Sequence, residues 1–332
     1  MKILLVCMEH DYGDPTRGHS YEYYNFYQSL LDLGHQVVLF DYMAELKRNG
    51  KDAMNSALLA TVRADSPDLA MFSLYTDQLD PLVVKKVSDH TKTLCFFHDD
   101  TWRVEFSRFW ARQFDFFSTP DHDGIRRYAK EGQHNAIHFP FGCNEKLYAK
   151  LNLPKRYDVS FVGGWHPYRE WLINRLRKAG YSVHVAGYRW PAGIVEHEEM
   201  IQIFNESRIN LNMSNSASWD VRYLLSSLRA LSGQLRSTKT IEQLKARHFE
   251  INSCGSFQLS YYVEGLETYY EIGKEIGIYT DAEDLLAKVK LYLGDDELRE
   301  SIAAAGYRKT LRQHTFAKRF KDVFERMGLK NG

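Results

Sequence analysis

The sequence predicts an α/β protein made of two Rossmann-like, doubly wound domains that face each other across a cleft. Short apolar runs alternate with helix-periodic segments along the 332 residues, which is the pattern of βα units built on a parallel sheet. A chain of this length also exceeds the usual size of one domain. The alternation begins afresh at residue 157, after a stretch over 146–156 that has no long apolar run. We therefore predict domains over 1–153 and 154–306.

The first domain opens with a predicted βαβ unit. Residues 2–7 form an apolar run typical of a buried parallel strand, 21–33 carry helical periodicity up to Gly34, and 36–40 form the second strand. The loop after the first strand lacks the GxGxxG pattern, which argues against an NAD-dependent enzyme. The later elements are predicted as helices at 53–63, 81–87 and 121–131 and as strands at 69–73, 93–97, 114–119 and 137–142.

Three chemically capable residues, His98, Asp99 and Asp100, follow the strand predicted at 93–97. Folds of this class place their chemistry at the carboxyl ends of parallel strands, so we predict a catalytic role for all three. An alternative is that the two carboxylates cap the next helix. A metal site is less favoured, because three neighbouring residues on one turn rarely converge on one ion. No metal site is therefore predicted.

The second domain begins with a strand over 157–162 that runs into Gly163 and Gly164, followed by a helix over 168–179. A glycine pair before a helix leaves backbone N–H groups able to meet a phosphate. A plain tight turn that needs a positive φ is the alternative. Arg169 lies close by in sequence and is a candidate partner for a diphosphate.

The remaining elements of the second domain continue the alternation. Strands are predicted at 182–186 and 209–213, a helix at 200–207, and amphipathic helices at 285–293 and 297–306. The segment 216–240 is basic and partly helical, and its arginines and Lys239 either hold phosphates or form a solvated face.

The segment 246–258 carries a carboxylate, Glu250, at the start of an apolar-faced helix that stops at Gly255, before a short strand. In an α/β unit the start of this helix faces the crevice at the carboxyl ends of the strands. A carboxylate there can accept two hydrogen bonds from a vicinal diol such as ribose. The alternative is that Glu250 only interacts with the helix dipole.

The pattern Arg247-x-Phe-Glu-Ile-x-x-x-Gly255, read with Ala303-Ala-Ala-Gly-Tyr307 and His314-Thr-Phe316, resembles the CgeB-like glycosyltransferases, relatives of the large Glu-x7-Glu group. The resemblance implies the two-domain GT-B fold. It implies that the second domain binds a nucleotide-diphosphate sugar through the 163–164 loop, Arg169 and Arg247. It also implies that Glu250 holds the ribose, that Glu242 lies near the donor sugar, and that His98 lies near the reacting carbon.

From this resemblance we expect an enzyme that moves a sugar to a glycan, lipid-linked or small-molecule acceptor. We expect it to need no cofactor, with the nucleotide sugar as its co-substrate. We expect it to be metal-independent and retaining. Two alternatives remain open: a nucleotide-sugar-binding protein without turnover, and a metal-dependent transferase that uses Asp99 and Asp100.

Lys plus Arg and Asp plus Glu both number 43, and this balance disfavours a nucleic-acid partner.

Cellular context is predicted from the cysteines and from hydropathy. The four cysteines lie far apart without a CxxC pair, which predicts reduced core thiols and a cytoplasmic protein. No apolar run approaches 18 residues, so no transmembrane helix is expected.

Residues 307–332 predict a basic C-terminal helix that packs back on the first domain. Its stripe of Phe316, Phe320 and Phe324 is interpreted first as core, with peripheral membrane contact as the alternative.

Overall fold

The computed structural model describes residues 1–121, 123–214, 218–236 and 242–329. The strands are β1 Lys2–Cys7, β2 Gln36–Asp41, β3 Leu69–Ser73, β4 Lys92–Phe96, β5 Phe116–Thr119, β6 Ala136–His138, β7 Tyr157–Val162, β8 Val183–Ala186, β9 Ser207–Asn212, β10 Gln258–Tyr261 and β11 Gly277–Tyr279. The helices are α1 Gln28–Asp32, α2 Tyr42–Asn49, α3 Lys51–Asp65, α4 Pro81–Ser88, α5 Val104–Ala111, α6 Gly124–Lys130, α7 Pro167–Lys178, α8 His197–Glu206, α9 Val221–Leu224, α10 Leu228–Arg236, α11 Arg247–Ser253, α12 Ala282–Gly294, α13 Asp296–Gln313 and α14 Phe316–Arg326.

The chain divides into two units. Unit 1 contains 1–144 and 315–332, and unit 2 contains 145–314. The sequence analysis placed the two boundaries at 153/154 and 306/307, whereas the structure has them at 144/145 and 314/315. The C-terminal segment that carries α14 thus belongs to unit 1. Together with the parallel sheets below, this is the two-domain, Rossmann-like GT-B fold.

Unit 1 is built on a six-stranded parallel sheet in the order β2-β1-β3-β4-β5-β6. Its central strands are mostly apolar because helices cover both faces, and the five residues of β3 are all buried. The chain leaves β1 toward β2 and returns to place β3 on the other side of β1. The carboxyl ends of β1 and β3 therefore form a topological switch point, the usual place for a ligand in an open α/β sheet.

Unit 2 is built on a five-stranded parallel sheet in the order β11-β10-β9-β7-β8. Here β8 lies on one side of β7 and β9 on the other. The switch point therefore falls between the carboxyl ends of β7 and β9. The loop that follows β7 holds Gly163 and Gly164, so the predicted phosphate loop lies at this point of the sheet.

The aromatic stripe of α14 is part of the core of unit 1. Phe316, Phe320 and Phe324 are fully buried. The first two rings contact Phe26, with centroids 5.2 and 5.7 Å apart, and Phe139, at 6.2 and 5.5 Å. The core interpretation of the stripe is confirmed, and burial leaves none of these three rings available to a membrane.

The burial of the four cysteines agrees with the prediction made from the sequence. Cys7, Cys95, Cys143 and Cys254 are all buried and free, which confirms that they are core thiols. The cytoplasmic location inferred from them stays a prediction. Among the described residues, none of the helices combines the length and the apolar character needed to cross a membrane.

Candidate active site

The two glycines after β7 differ in what surrounds them. The Gly163 N–H donates to the Ala186 carbonyl at 2.9 Å, and the Gly163 carbonyl accepts from Trp190 Nε1 at 2.9 Å. A Cβ on Gly163 would lie 2.8 Å from the Phe161 ring, whereas a Cβ on Gly164 would meet nothing within 4 Å. Neither glycine has a positive φ, so the tight-turn alternative does not explain the pair. The phosphate prediction therefore depends on Gly164 rather than Gly163.

Arg169, in the first turn of α7, lies against this loop. Its Nη1 donates to the Gly164 carbonyl at 2.8 Å, and its guanidinium lies 5.6 Å from the centre of the Phe161 ring. Burial lowers the pKa of Arg169, the charge of Glu242 opposes this, and the charge of Arg247 adds to it. The three charged groups are thus near enough to influence one another. A guanidinium starts from a pKa far above neutral, so Arg169 remains a cation.

Glu250 is paired with Arg247 on the first turn of α11. Arg247 Nη1 lies 2.7 Å from Glu250 Oε2, and the glutamate is only 4% exposed. The guanidinium is held further by Met200 Sδ at 3.0 Å and by the Phe204 ring at 5.1 Å. The ion pair fixes the orientation of the carboxylate. The position of Glu250 in the first turn of α11 also fits the alternative in which the carboxylate only interacts with the helix dipole.

Glu242 lies near the ends of β10 and β11. Burial raises the pKa of Tyr261, and the charge of Glu242 raises it further. The hydroxyl of Tyr279, the last residue of β11, is buried and has no hydrogen-bond partner among the described residues. Glu242 is also among the groups whose charge acts on Tyr279. Sequence reasoning gave Tyr279 no role in the site, because a three-residue strand leaves almost no periodic signal.

The structure thus brings the predicted donor residues of unit 2 to the carboxyl edge of its sheet. They are Gly164, Arg169, Glu242, Arg247 and Glu250.

A separate groove of about 500 Å³ lies between α7 and the α9–α10 segment, lined by Trp171, Tyr223 and Arg229 among others. It contains none of the predicted donor residues. The basic segment 216–240 lies only partly within the described residues, and Lys239 falls outside them.

In unit 1, His98 follows β4 and meets two partners at one ring nitrogen. Its Nε2 lies 2.9 Å from Glu22 Oε1 and 2.9 Å from Ser73 Oγ. Burial raises the pKa of Glu22, but the charge and hydrogen bond of His98, together with the Ser73 hydrogen bond, outweigh this and lower it below its ordinary value. Sequence reasoning missed Glu22 and Ser73, because they precede His98 by three and one βα units.

Asp100 has a different environment from the one predicted. It is fully buried and accepts from the Tyr128 hydroxyl at 2.5 Å and from Arg127 Nη2 at 2.9 Å. Arg127 also pairs with Asp121 at 2.7 Å. These contacts tie the turn after β4 to α6, so the geometry gives Asp100 a structural position instead of a catalytic one.

Asp99 is partly exposed and remains a candidate. Its carbonyl accepts from the N–H groups of Trp102 and Arg103 at 3.2 and 2.9 Å, which closes the turn. Helix α5 begins at Val104, and the residue before it, Arg103, makes no side-chain cap. The carboxylate of Asp100 is bound to α6, so the helix-capping alternative is wrong for that residue. For Asp99 it stays a prediction.

A possible metal-ligand group occurs elsewhere in unit 1. Glu9, His10 and His19 have ligand atoms within 4.8 Å of one another, and no other such group occurs in the described part of the chain. The two imidazoles are stacked, with centroids 4.9 Å apart and planes 20° from parallel. The sequence analysis did not predict this group.

Comparison with known proteins shows a similarity to glycosyltransferases. Residues 169–325, just under half of the chain, match the model of a family described as glycosyl transferase-like. The spore protein CgeB of Bacillus subtilis is 21% identical over 220 residues, which cover 61% of this chain and 64% of that protein. The chain therefore spans less than two thirds of the length of this curated relative.

Solved structures share the fold over nearly the whole chain. Sucrose-phosphate synthase from Thermosynechococcus elongatus has a TM-score of 0.66 at 12% identity, covering 98% of this chain and 99% of that one. HepE of Anabaena in complex with UDP-glucose has a TM-score of 0.65 at 11% identity, with 99% of both chains covered. AviGT4, a glycosyltransferase of avilamycin A biosynthesis, has a TM-score of 0.60 at 14% identity, with 98% and 96% covered. At these identities the likeness establishes the GT-B fold.

Proposed function

We propose that this protein transfers a sugar from a nucleoside-diphosphate sugar, bound by unit 2, to the hydroxyl of an acceptor. The observation that carries the proposal is the set of charged residues at the carboxyl edge of the unit 2 sheet. Two cations, Arg169 and Arg247, and two carboxylates, Glu242 and Glu250, are gathered beside Gly164, at the switch point of the sheet.

The charges of this set match the parts of such a donor. Guanidinium groups bind diphosphates strongly, and they stabilise the negative charge that grows on a departing nucleotide diphosphate. Carboxylates accept hydrogen bonds from the hydroxyls of ribose and of a sugar. A site that offers only cations would bind phosphate but would not select a glycosylated nucleotide. Both kinds of group occur here.

The relatives support the choice of ligand. HepE of Anabaena has been solved with UDP, with UDP and glucose, and with UDP-glucose. UDP and UDP-glucose are therefore the first probes for this protein. The nucleobase and the sugar that it uses are left to the experiment.

We also propose that transfer needs no divalent metal and retains the anomeric configuration. The two arginines supply positive charge where other transferases use an ion. Asp100, one of the two ligands of the metal-dependent alternative, is already paired with Arg127 and Tyr128. The proposal of retention rests on the resemblance of Glu242 and Glu250 to the Glu-x7-Glu group. His98 and Asp99 of unit 1 are proposed to act on the substrate hydroxyls.

The test is UDP affinity in variants of α7. We expect Arg169→Ala to weaken UDP binding by about ten- to a hundredfold, because one charge-assisted contact is worth about 1.5 to 3 kcal/mol. The matched control is Arg175→Ala on the same helix, where the arginine pairs with Glu283 on the surface. Calorimetry on both folded variants decides. Equal UDP affinity in Arg169→Ala and wild type would contradict the proposed donor site.

A further inference from the structure

A buried carboxylate and a hydroxyl converge on one edge of the His98 ring. Glu22 Oε1 and Ser73 Oγ are each 2.9 Å from Nε2, and Ser73 donates to the same Glu22 oxygen at 2.5 Å. Glu22 lies just before the π-helical turn Tyr23–Tyr27 that leads into α1, and Ser73 ends β3. The βα units of three neighbouring strands of the sheet, β1, β3 and β4, thus meet at this contact.

The partners determine which ring nitrogen carries the proton. A carboxylate oxygen can only accept a hydrogen bond, and the Ser73 hydrogen is directed to Glu22. Nε2 must therefore carry a hydrogen. Of the two neutral tautomers of His98, the contact selects the one with its hydrogen on Nε2.

The other groups around Glu22 do not compete with His98 for its charge. Cys7 and Tyr42 face the carboxylate, and both are buried. Burial and then the charge of Glu22 raise the pKa of each, so both stay neutral at physiological pH. His98 is thus the ionisable partner that lies in direct contact with Glu22.

Packing alone would leave the His98 ring free to flip. Aromatic rings surround it, including Phe96 with centroids 4.7 Å apart and Tyr21 at 5.5 Å. Such contacts are nearly the same for the two ring orientations related by a 180° rotation, since carbon and nitrogen have similar size. Polar contacts do distinguish the two orientations. Of the two polar contacts at Nε2, the one with Glu22 involves a carboxylate, and Glu22 is 7% exposed.

We propose that Glu22 is a positioning residue for the transfer reaction, which holds His98 in one orientation and one tautomer toward the substrate. This inference rests on the proposed function, in which His98 acts on a substrate hydroxyl. Glu22 itself does not touch the substrate, since its carboxylate is buried behind the ring. Its loss should lower kcat while leaving UDP affinity nearly unchanged, because UDP is proposed to bind in unit 2.

The experiment compares Glu22→Leu, Glu22→Gln and Ser73→Ala with wild type. Ring ¹⁵N NMR spectra report the His98 tautomer, with His98→Asn used to assign its signals. The rate of UDP release from UDP-glucose, with water as the acceptor, gives kcat. We expect a single Nε2–H tautomer in wild type, a mixture in Glu22→Leu, and an intermediate state in Glu22→Gln, whose amide oxygen can still accept.

We expect kcat to fall by at least about tenfold in Glu22→Leu and less in Glu22→Gln, as part of the roughly hundredfold or more that a positioned acid or base supplies. Ser73→Ala should change both readouts little, because the contact of Glu22 with Nε2 remains. The control is Asp115→Asn in the same sheet, where the carboxylate accepts from Thr93 at the start of β4. It should alter melting temperature without changing the tautomer or kcat.

Two results would overturn the inference. One is an unchanged His98 tautomer in Glu22→Leu, which needs no enzymatic activity to observe. The other is a lost tautomer preference with wild-type kcat. Melting temperature and UDP affinity verify that each variant is folded. If wild type binds UDP but never turns over a donor, the proposed function fails, and the predicted effect on kcat fails with it. The NMR spectra still show whether Glu22 sets the tautomer of His98.

Discussion

At the scale of single residues, the buried hydroxyl of Tyr279 is a polar group without a protein partner in the described part of the chain. It belongs to a residue with no solvent exposure, at the end of β11 and near Glu242 and Arg169. An unmade hydrogen bond of this kind costs about 1 to 3 kcal/mol. Such a cost is tolerated in functional sites when a ligand supplies the partner.

We therefore expect Tyr279→Phe to leave the melting temperature unchanged or to raise it, while weakening UDP-glucose binding by roughly three- to tenfold, the equivalent of one neutral hydrogen bond. Thermal denaturation and calorimetry measure the two effects. Tyr128→Phe is the matched control, because its hydroxyl donates to Asp100 and its loss should lower stability. A clear loss of stability in Tyr279→Phe would show that the hydroxyl already has a partner.

Part of the candidate site was predicted from the sequence. Glu242, Arg247 and Glu250 were proposed from a family pattern in one continuous segment, and Arg169 from its closeness to the glycine pair in sequence. Glu22 and Ser73 could not be predicted in this way. Their contact with His98 depends on the order of the strands in the sheet, which brings residues from separate βα units together, and no local pattern records it.

At the scale of elements, the turn after β4 is held to α6 by a buried ion pair. We expect Asp100→Asn to cost about 3 kcal/mol of unfolding free energy, the lower end of the range for breaking a buried pair, because the Arg127 side chain is 26% exposed. Chemical denaturation measures this. The kcat of the folded variant should stay near that of wild type, and a selective loss of kcat without loss of stability would restore the catalytic interpretation of Asp100.

Periodicity predicted most elements but not those adjoining another element. Helix α2 begins at Tyr42, directly after β2, and Asp41 ends the strand and caps the helix through the N–H groups of Met43 and Ala44. When a helix follows a strand without a loop, the hydrophobic periodicity of the strand runs directly into that of the helix. The boundary between them is then not visible in the sequence. Strand β6 is shorter than predicted, Ala136–His138, because the chain leaves the sheet before Pro140.

At the scale of the whole molecule, the proposal specifies the conditions and the product of transfer. We expect UDP-glucose turnover to survive saturating EDTA, because Arg169 and Arg247 supply the positive charge, and we expect the glycoside to keep the anomeric configuration of the donor. Rates with and without chelator and the anomeric NMR coupling constant of the product measure the two outcomes.

Loss of activity in EDTA, restored by Mn²⁺ or Mg²⁺, would contradict metal independence. His10→Ala would then show whether the group of Glu9, His10 and His19 is responsible, since it removes one of the three ligands. An inverted product would contradict retention and would separate the protein from the Glu-x7-Glu group.

The burial of α14 in unit 1 has a consequence for how the protein is made. A ribosome releases the chain from its N-terminus, so residues 1–144 emerge first, yet Phe316 and Phe320, which fill part of their core, are synthesised only after all of unit 2. Unit 2 is contiguous in sequence and needs no later segment. Unit 1 is thus the unit whose folding must wait for a segment made after the other unit.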